Sequence, residues 1–261
     1  MNEVNKTLFI PLYGKAFVSK QHIILDDPSA ERIWQVEGFE LHGKSKSKWL
    51  AYNMAMRARV FDDWTDSMLA LHQDALVLHI GCGLDGRCQR IHQEYEDWLD
   101  CDLGDVIEVR KKYFVETDRY HMAKLDASDP EEIKALPDAS SAIVVMEGLS
   151  MYLTNEELKD LFKQLAEKYA SLHISLDVYT VFGAKASKYK NPINDVGVTQ
   201  VYGIDDIKDV IEGTGIEVVA EHTFTPDRLV NELKPLERAF FKMLFTGKIY
   251  GKIYRLYELR G

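Results

Sequence analysis

The chain has little cysteine, little proline and no long apolar run. Three cysteines stand among 261 residues. An odd, small number with no secretory pattern over Met1–Leu8 excludes a disulfide framework and fits a reducing, cytoplasmic compartment. Their spacing, at Cys82, Cys88 and Cys101, matches no structural zinc site, so no metal is expected. No apolar stretch reaches the roughly eighteen residues of a membrane span. Basic residues are also in deficit. Lys and Arg number 32 against 42 Asp and Glu, for a net charge of −10. That balance argues against nucleic acid or an anionic membrane as partner. The run Lys44-Ser45-Lys46-Ser47-Lys48 reads as a solvated loop.

What is present is an α/β rhythm. Residues 1 to about 45 are mixed in pattern and read as an N-terminal cap with one or two short helices. From Ser47 to His72 apolar residues (Trp49, Tyr52, Met56, Val60, Trp64) recur at helical spacing. Strands are predicted at Ala75–Ile80, Asp97–Cys101, His121–Leu125, Ser141–Met146, Ser171–Val178, Glu217–Phe224 and Ile249–Leu259. Helices are predicted at Gly86–Tyr95, Leu103–Phe114 and Ile204–Glu212, with a helical insertion at Leu229–Phe245. Another helix opens at a capping box formed by Thr154 and Glu157. A loop carries Gly183, Pro192 and Gly197. The fold class is therefore α/β and Rossmann-like, a mostly parallel seven-stranded sheet with helices on both faces. The whole chain, 1–261, reads as one domain, with the cap at 1–72 and an insertion near 226–248.

The informative stretch is His79-Ile80-Gly81-Cys82-Gly83-Leu84-Asp85-Gly86-Arg87, with Asp100-Cys101-Asp102 about twenty residues on. A strand that ends in a glycine turn, followed by a carboxylate at the next strand tip, is how such folds hold an adenosine-containing cofactor. Glycine permits the sharp turn and the close approach of backbone to ligand. Gly81, Gly83 and Gly86 satisfy GxGxxG literally, so a nicotinamide-dependent oxidoreductase is one reading. Two strands after the fifth, an acid (Asp126) after the third, and Glu147 at the end of the fourth favour S-adenosylmethionine instead. A non-catalytic module with a vestigial site is a third reading. The joint presence of Gly81, Gly83, Asp102 and Glu147 speaks against it.

Four blocks then resemble the leucine carboxyl methyltransferase family, and within it the bacterial polyketide O-methyltransferases of the tetracenomycin type. They are Arg57-Ala-Arg59-Val-Phe61-Asp62-Asp63, the glycine stretch from His79 to Arg87, Trp98-Leu-Asp100-Cys-Asp102-Leu103, and Glu147-Gly-Leu-Ser-Met-Tyr152-Leu. They span roughly residues 57–155. Gly86 departs from the bacterial members, which usually carry threonine there.

The resemblance implies an S-adenosyl-L-methionine-dependent O-methyltransferase of the class I fold, whose last strand runs antiparallel to the rest. Its cofactor-binding residues would be Arg59 (with Arg57 as alternate), Gly81, Cys82, Gly83, Asp102, Leu103, Asp126, Ala127 and Glu147. Asp102 would meet the ribose, and Asp126 and Ala127 the adenine edge. Arg59 would meet the methionine carboxylate, and Glu147 the cationic half. Tyr152 is the candidate at the acceptor site. The acceptor would be a small-molecule hydroxyl or carboxylate, and the rival within the family a protein C-terminal carboxyl. His79, inside a strand, reads as a core histidine, and no general base stands out.

Overall fold

The computed structural model describes residues 8–37, 41, 43–187 and 201–261. Pro192 and Gly197, expected in a loop, lie outside them. Three helices come first: α1 (Phe9–Ser19), α2 (Pro28–Glu37) and the 24-residue α3 (Lys48–Leu71). A short 3-10 turn, Gly43–Lys46, takes up the start of the basic run. The alternating core follows: β1 (Leu76–Ile80), α4 (Arg87–Arg90), β2 (Asp97–Asp102), α5 (Gly104–Arg110), β3 (Tyr120–Lys124), α6 (Pro130–Lys134) and β4 (Ser141–Met146). It continues with α7 (Asn155–Lys168), β5 (Ser171–Tyr179), α8 (Val181–Ser187), α9 (Lys208–Ile211) and β6 (Glu217–His222). Last are α10 (Asp227–Val230), α11 (Pro235–Phe245), α12 (Gly247–Tyr250) and β7 (Tyr254–Arg260).

The strands form one seven-stranded sheet in the order β3-β2-β1-β4-β5-β7-β6. Pairing is parallel from β3 to β5, and β7 runs antiparallel between β5 and β6. Every residue of β1 and β4 is buried, as strands covered on both faces must be. Side chains alternate between two cores. Leu76, Leu78, Ile80, Ala142, Val144 and Met146 enter the core under α7 and α9. Val77, Ile143 and Val145 enter the other, with Phe9, Leu12, Ile33 and Phe61 from the N-terminal helices. Those helices therefore roof one face of the sheet. The order reverses between β1 and β4, and the crevice at their carboxyl ends is where doubly wound sheets bind ligands.

Several helices are shorter than their sequence pattern predicts, each for a visible reason. The one expected over Gly86–Tyr95 stops at Arg90. Asp66 of α3 accepts from the backbone N–H groups of His92 (2.8 Å) and Gln93 (3.0 Å), which draws the chain out of helix. The helix expected over Leu103–Phe114 ends at Arg110, whose guanidinium is turned into the core toward Asp100. The helix expected over Ile204–Glu212 keeps one turn, with Asp206 accepting from Lys208 N–H at 3.0 Å.

The insertion splits in two, because Pro235 has no N–H to donate and sits in the first turn of α11. The last strand begins at Tyr254 rather than Ile249, since α12 occupies the preceding residues. The capping box forms as predicted: Thr154 Oγ1 accepts from Glu157 N, and Glu157 from Thr154 N at 2.7 Å. The helices α6 and α8 have no counterpart in the sequence reading.

Candidate functional site

A cavity of about 510 Å³ opens at the carboxyl ends of the parallel strands, under α1 and α3. On one side it is built from β1, β2 and the turns after them. Gly81 and Gly83 have φ of 75° and 53°, a region that L side chains rarely adopt. The turn is tied to the tip of β2. Gly81 and Cys82 N–H both donate to Cys101 O (2.8 and 3.0 Å), and Gly83 N–H donates to Asp102 Oδ2 at 2.7 Å. Asp102 Oδ1 accepts from Leu103 N–H at 2.7 Å. Burial raises the Asp102 carboxyl above its usual range, and these backbone donors oppose the rise. Burial likewise pushes the Cys82 thiol well up, so Cys82 packs as a neutral group.

Of the residues singled out from sequence, Gly81, Cys82, Gly83, Asp102, Leu103, Asp126, Ala127, Glu147 and Tyr152 all line this cavity. Asp126 Oδ1 accepts from Ser128 N (3.0 Å) and Oγ (2.7 Å), forming an Asx turn. Arg59 does not line the cavity. It pairs with Asp63 one turn along α3, at 2.8 Å, and lines a separate acidic recess with Asp26, Asp62 and Asp66. Arg57 faces the cavity in its place. The two arginines are two residues apart, so a helix turns them to different sides.

Glu147 is not free to face a cation alone. Arg57 Nε donates to its Oε1 at 2.9 Å, and Arg87 Nη2 to its Oε2. Burial by itself would raise this carboxyl; Arg57 and then Arg87 hold it down at about 2. Asp100 is not at the mouth. It is fully buried, bonded to Arg110, Tyr120, Trp98 and His79; burial by itself would raise its carboxyl, and Arg110, His79 and Trp98 together hold it at about 2. His79, with Asp100 on Nδ1 (3.1 Å) and Arg87 beside Nε2 (3.4 Å), is a partnered core residue.

The charged blocks of the sequence meet in one buried network. Arg87 Nε donates to Asp62 at 2.7 Å, and Arg90 reaches Asp62, Asp27 and Asp85 within 2.8 Å. Lys15 of α1, 3% exposed, pairs with Asp85 at 3.0 Å. Removing one partner from such a set leaves a buried charge uncompensated. Gly86 belongs to this corner: a Cβ there would overlap Ser29 Oγ, and Ser29 donates to Asp27 at 2.6 Å. The threonine of the bacterial pattern would require Ser29 to swing its hydroxyl off Asp27.

The far side of the cavity is aromatic. Tyr152, Tyr179, Tyr250, Tyr254 and Phe245 line it, with Asn53 from α3. Arg57 Nη1 donates to Tyr254 OH at 2.8 Å and lies 3.2 Å from Asp177, to which Tyr254 donates. Asn53, Asp177, Tyr250 and Tyr254 escaped the sequence reading, as did Lys15 and Arg110. Asp177 had the same signal as Glu147, a carboxylate within an apolar strand. Lys15 interrupts the buried face of α1. Arg110 steadies the glycine turn by donating to Gly83 O at 3.0 Å. The two tyrosines carry no local signal.

The arrangement is that of class I methyltransferases, and solved structures agree on the fold. A methyltransferase from Mesorhizobium loti superposes with TM-score 0.55, at 13% identity over 77% of this chain and 98% of that one. The magnesium protoporphyrin IX methyltransferase of Synechocystis PCC 6803, solved with bound S-adenosylhomocysteine, gives 0.52 at 12% identity over 88% and 92%. Residues 3–166 match the family described as leucine carboxyl methyltransferase, and the chain belongs to that family. It is a transferase that uses S-adenosyl-L-methionine. It is 28% identical over 203 residues to the tetracenomycin polyketide synthesis O-methyltransferase TcmP of Streptomyces glaucescens, covering 77% of this chain and 75% of that one. It is 24% identical over 230 residues to the S-adenosyl-L-methionine-dependent methyltransferase dpfgK of Gibberella zeae, covering 78% and 76%.

Proposed function

We propose that this chain methylates an oxygen of a small molecule, a hydroxyl or a carboxylate, and that residues 1–261 do so as one domain in the cytoplasm. The observation that carries the reading is the single cavity in which a glycine turn and strand-tip acids face a wall of tyrosines. The glycine cradle fits a cofactor laid against backbone, because a Cβ on Gly81 would press on Leu149 and be strained at its positive φ. S-adenosylmethionine supplies a methyl group already activated on a sulfonium sulfur.

Around it, Gly81, Cys82 and Gly83 give the turn, and Asp102 accepts from the ribose hydroxyls. Leu103 and Ala127 flank the adenine, and Asp126 accepts from its amino group. Arg57, rather than Arg59, serves the methionine end, and Glu147 holds Arg57 and Arg87 in place. Bound there, the cofactor would present its methyl group to an acceptor oxygen held against the tyrosine wall. Aligning these atoms in line supplies much of the rate.

No described ionisable group on the tyrosine side stands ready as a base. Asp177 is tied to Arg57, Tyr254 and Gly148 N–H, and burial pushes the Tyr250 and Tyr254 hydroxyls up. Acceptors that ionise by themselves, phenols and carboxylic acids, are therefore favoured over aliphatic alcohols.

Calorimetric titration with S-adenosylhomocysteine and with NADH, followed by a methyl-transfer assay over phenols, acids, alcohols and leucine-ended peptides, tests the reading. Binding of NADH alone, or transfer only to peptide termini, would overturn it.

A further inference from the structure

The face of α3 turned to the cavity meets the 250–254 segment twice. In the inner rung Arg57 donates to Tyr254 OH at 2.8 Å, and its Nε and Nη1 are both engaged by acids or hydroxyl. In the outer rung, one helical turn earlier, Tyr250 OH donates to Asn53 Oδ1 at 2.8 Å. That bond leaves the other end of the amide over. Asn53 is 1% exposed, lines the cavity, and its buried Nδ2 has no hydrogen-bond partner among the described residues. A buried amide donor without a partner is costly, and few native groups are left so. Its position decides what it waits for. It is held on the tyrosine side by its bond to Tyr250, whereas the hydrogen bonds given for Asp102 and Asp126 are all to other residues.

We propose that Asn53 positions the methyl acceptor, its Nδ2–H donating to the oxygen of a carboxyl group that does not take the methyl. This rests on the reading of the cavity as an O-methylation site, and it names the part of the site that chooses the acceptor group. A carboxylate has two oxygens on one carbon, one to attack and one to be held. A lone phenol oxygen would have to do both, and a donor upon it would blunt the nucleophile. A neutral amide suits the task better than a cation, since it orients the group without holding its charge in the ground state. Tyr250 keeps the amide turned the right way by occupying Oδ1. Phe245, edge-to-face with Tyr250 at a ring-centroid distance of 5.6 Å, closes the wall on which a flat acceptor rests.

The test uses the full chain saturated with S-adenosylhomocysteine and two flat probes, 2-naphthoate and 2-naphthol, titrated by fluorescence. Naphthoate should bind the wild type, and about tenfold more weakly to Asn53→Ala, for one lost hydrogen bond. Asn53→Asp, the same shape with an acceptor in place of the donor, should bind it more weakly still. Naphthol affinity and S-adenosylhomocysteine affinity should stay within about twofold throughout, which a merely structural role for Asn53 would not produce. Should either variant fail to fold, Asn53→Ser retains a small donor and should bind naphthoate between wild type and Ala, as should Tyr250→Phe. Unchanged naphthoate binding in Asn53→Asp, an equal loss of naphthol, or no naphthoate binding to a wild type that holds S-adenosylhomocysteine would each overturn the proposal. Absence of S-adenosylhomocysteine binding itself would instead overturn the functional reading on which it rests.

Discussion

The two sides of the cavity are built on different physics. The side made by the turns after β1, β2 and β4 is charged and backbone-rich, and its acids are met by arginines or N–H groups: Asp102 by Gly83 and Leu103, Glu147 by Arg57 and Arg87. The side made by Asn53, Tyr179, Tyr250 and Tyr254 is aromatic, and it contains the unpartnered Asn53 Nδ2. On the proposed reading the first holds a cofactor that does not vary, and its geometry is fixed by short local devices. The second would have to suit one acceptor, and its parts come from α3, β5, α12 and β7, far apart in sequence.

The largest effect that would break this contrast is expected at Arg57, which joins the two sides. Arg57→Ala leaves the buried Asp177 without its arginine and Glu147 with Arg87 alone, and should cost about 3–5 kcal/mol in urea unfolding, with loss of S-adenosylhomocysteine binding. Arg59→Ala, in the outer recess, should cost no more than about 1 kcal/mol and leave cofactor affinity intact. Equal effects from the two would erase the distinction between the arginines.

Glu147 sharpens the same point through pH. Its folded carboxyl is held at about 2, below an ordinary value of 4.5. A depressed acid contributes stability that is complete above the unfolded value and is lost as pH falls toward the folded one. Unfolding free energy should therefore drop between pH 4.5 and about 2 in the wild type. Glu147→Gln should be less stable at neutral pH and show a shallower decline, followed by denaturant titration at each pH. An unaltered acid limb would mark other carboxylates, Asp100 foremost, as its source.

At the strand tip, Asp102→Asn should keep much of the turn while losing a charged acceptor. Cofactor affinity should fall about tenfold or somewhat more, for a hydrogen bond to a charged group, with a smaller change in melting temperature. A calorimetric Kd within twofold of wild type would remove Asp102 from the ribose. The smallest effect is expected at Tyr152. Tyr152→Phe should lower turnover by about tenfold with cofactor affinity near normal, as when an interaction made mainly in the transition state is lost. Transfer unchanged by the substitution would make Tyr152 a wall residue alone.

The same division governs what the sequence discloses. Parallel strands buried on both faces read as apolar runs, and the one at Ser141–Met146 falls where it was predicted. The glycine turn and Asp102 are legible because a tight turn and a strand tip are local requirements. Helix ends were less so, since Asp66 and Asp100 act on Gln93 and Arg110 through space. The arginine choice failed at the level of helical phase: Arg57 and Arg59 share a motif, and the packing of α3 decides which faces inward. Tyr250 and Tyr254 carry no pattern of their own and acquire a role only once β7 lies beside β5.

That placement of β7 also bears on the order in which the molecule assembles. β6 touches the sheet through β7 alone, and β7 supplies Tyr254 to the cavity. β6 therefore gains sheet hydrogen bonds only once β7 lies against β5, and no docking that begins at β6 does so. Closure of the segment from Glu217 to Arg260 joins residues as distant as Arg57 and Tyr254, so the loop entropy falls due before the contacts repay it. The segment is thus the natural late cooperative block of folding. Amide exchange in β6 and β7 should open together, ahead of β1 and β4, and a chain caught with this block undocked would present a cofactor crevice with no wall for an acceptor.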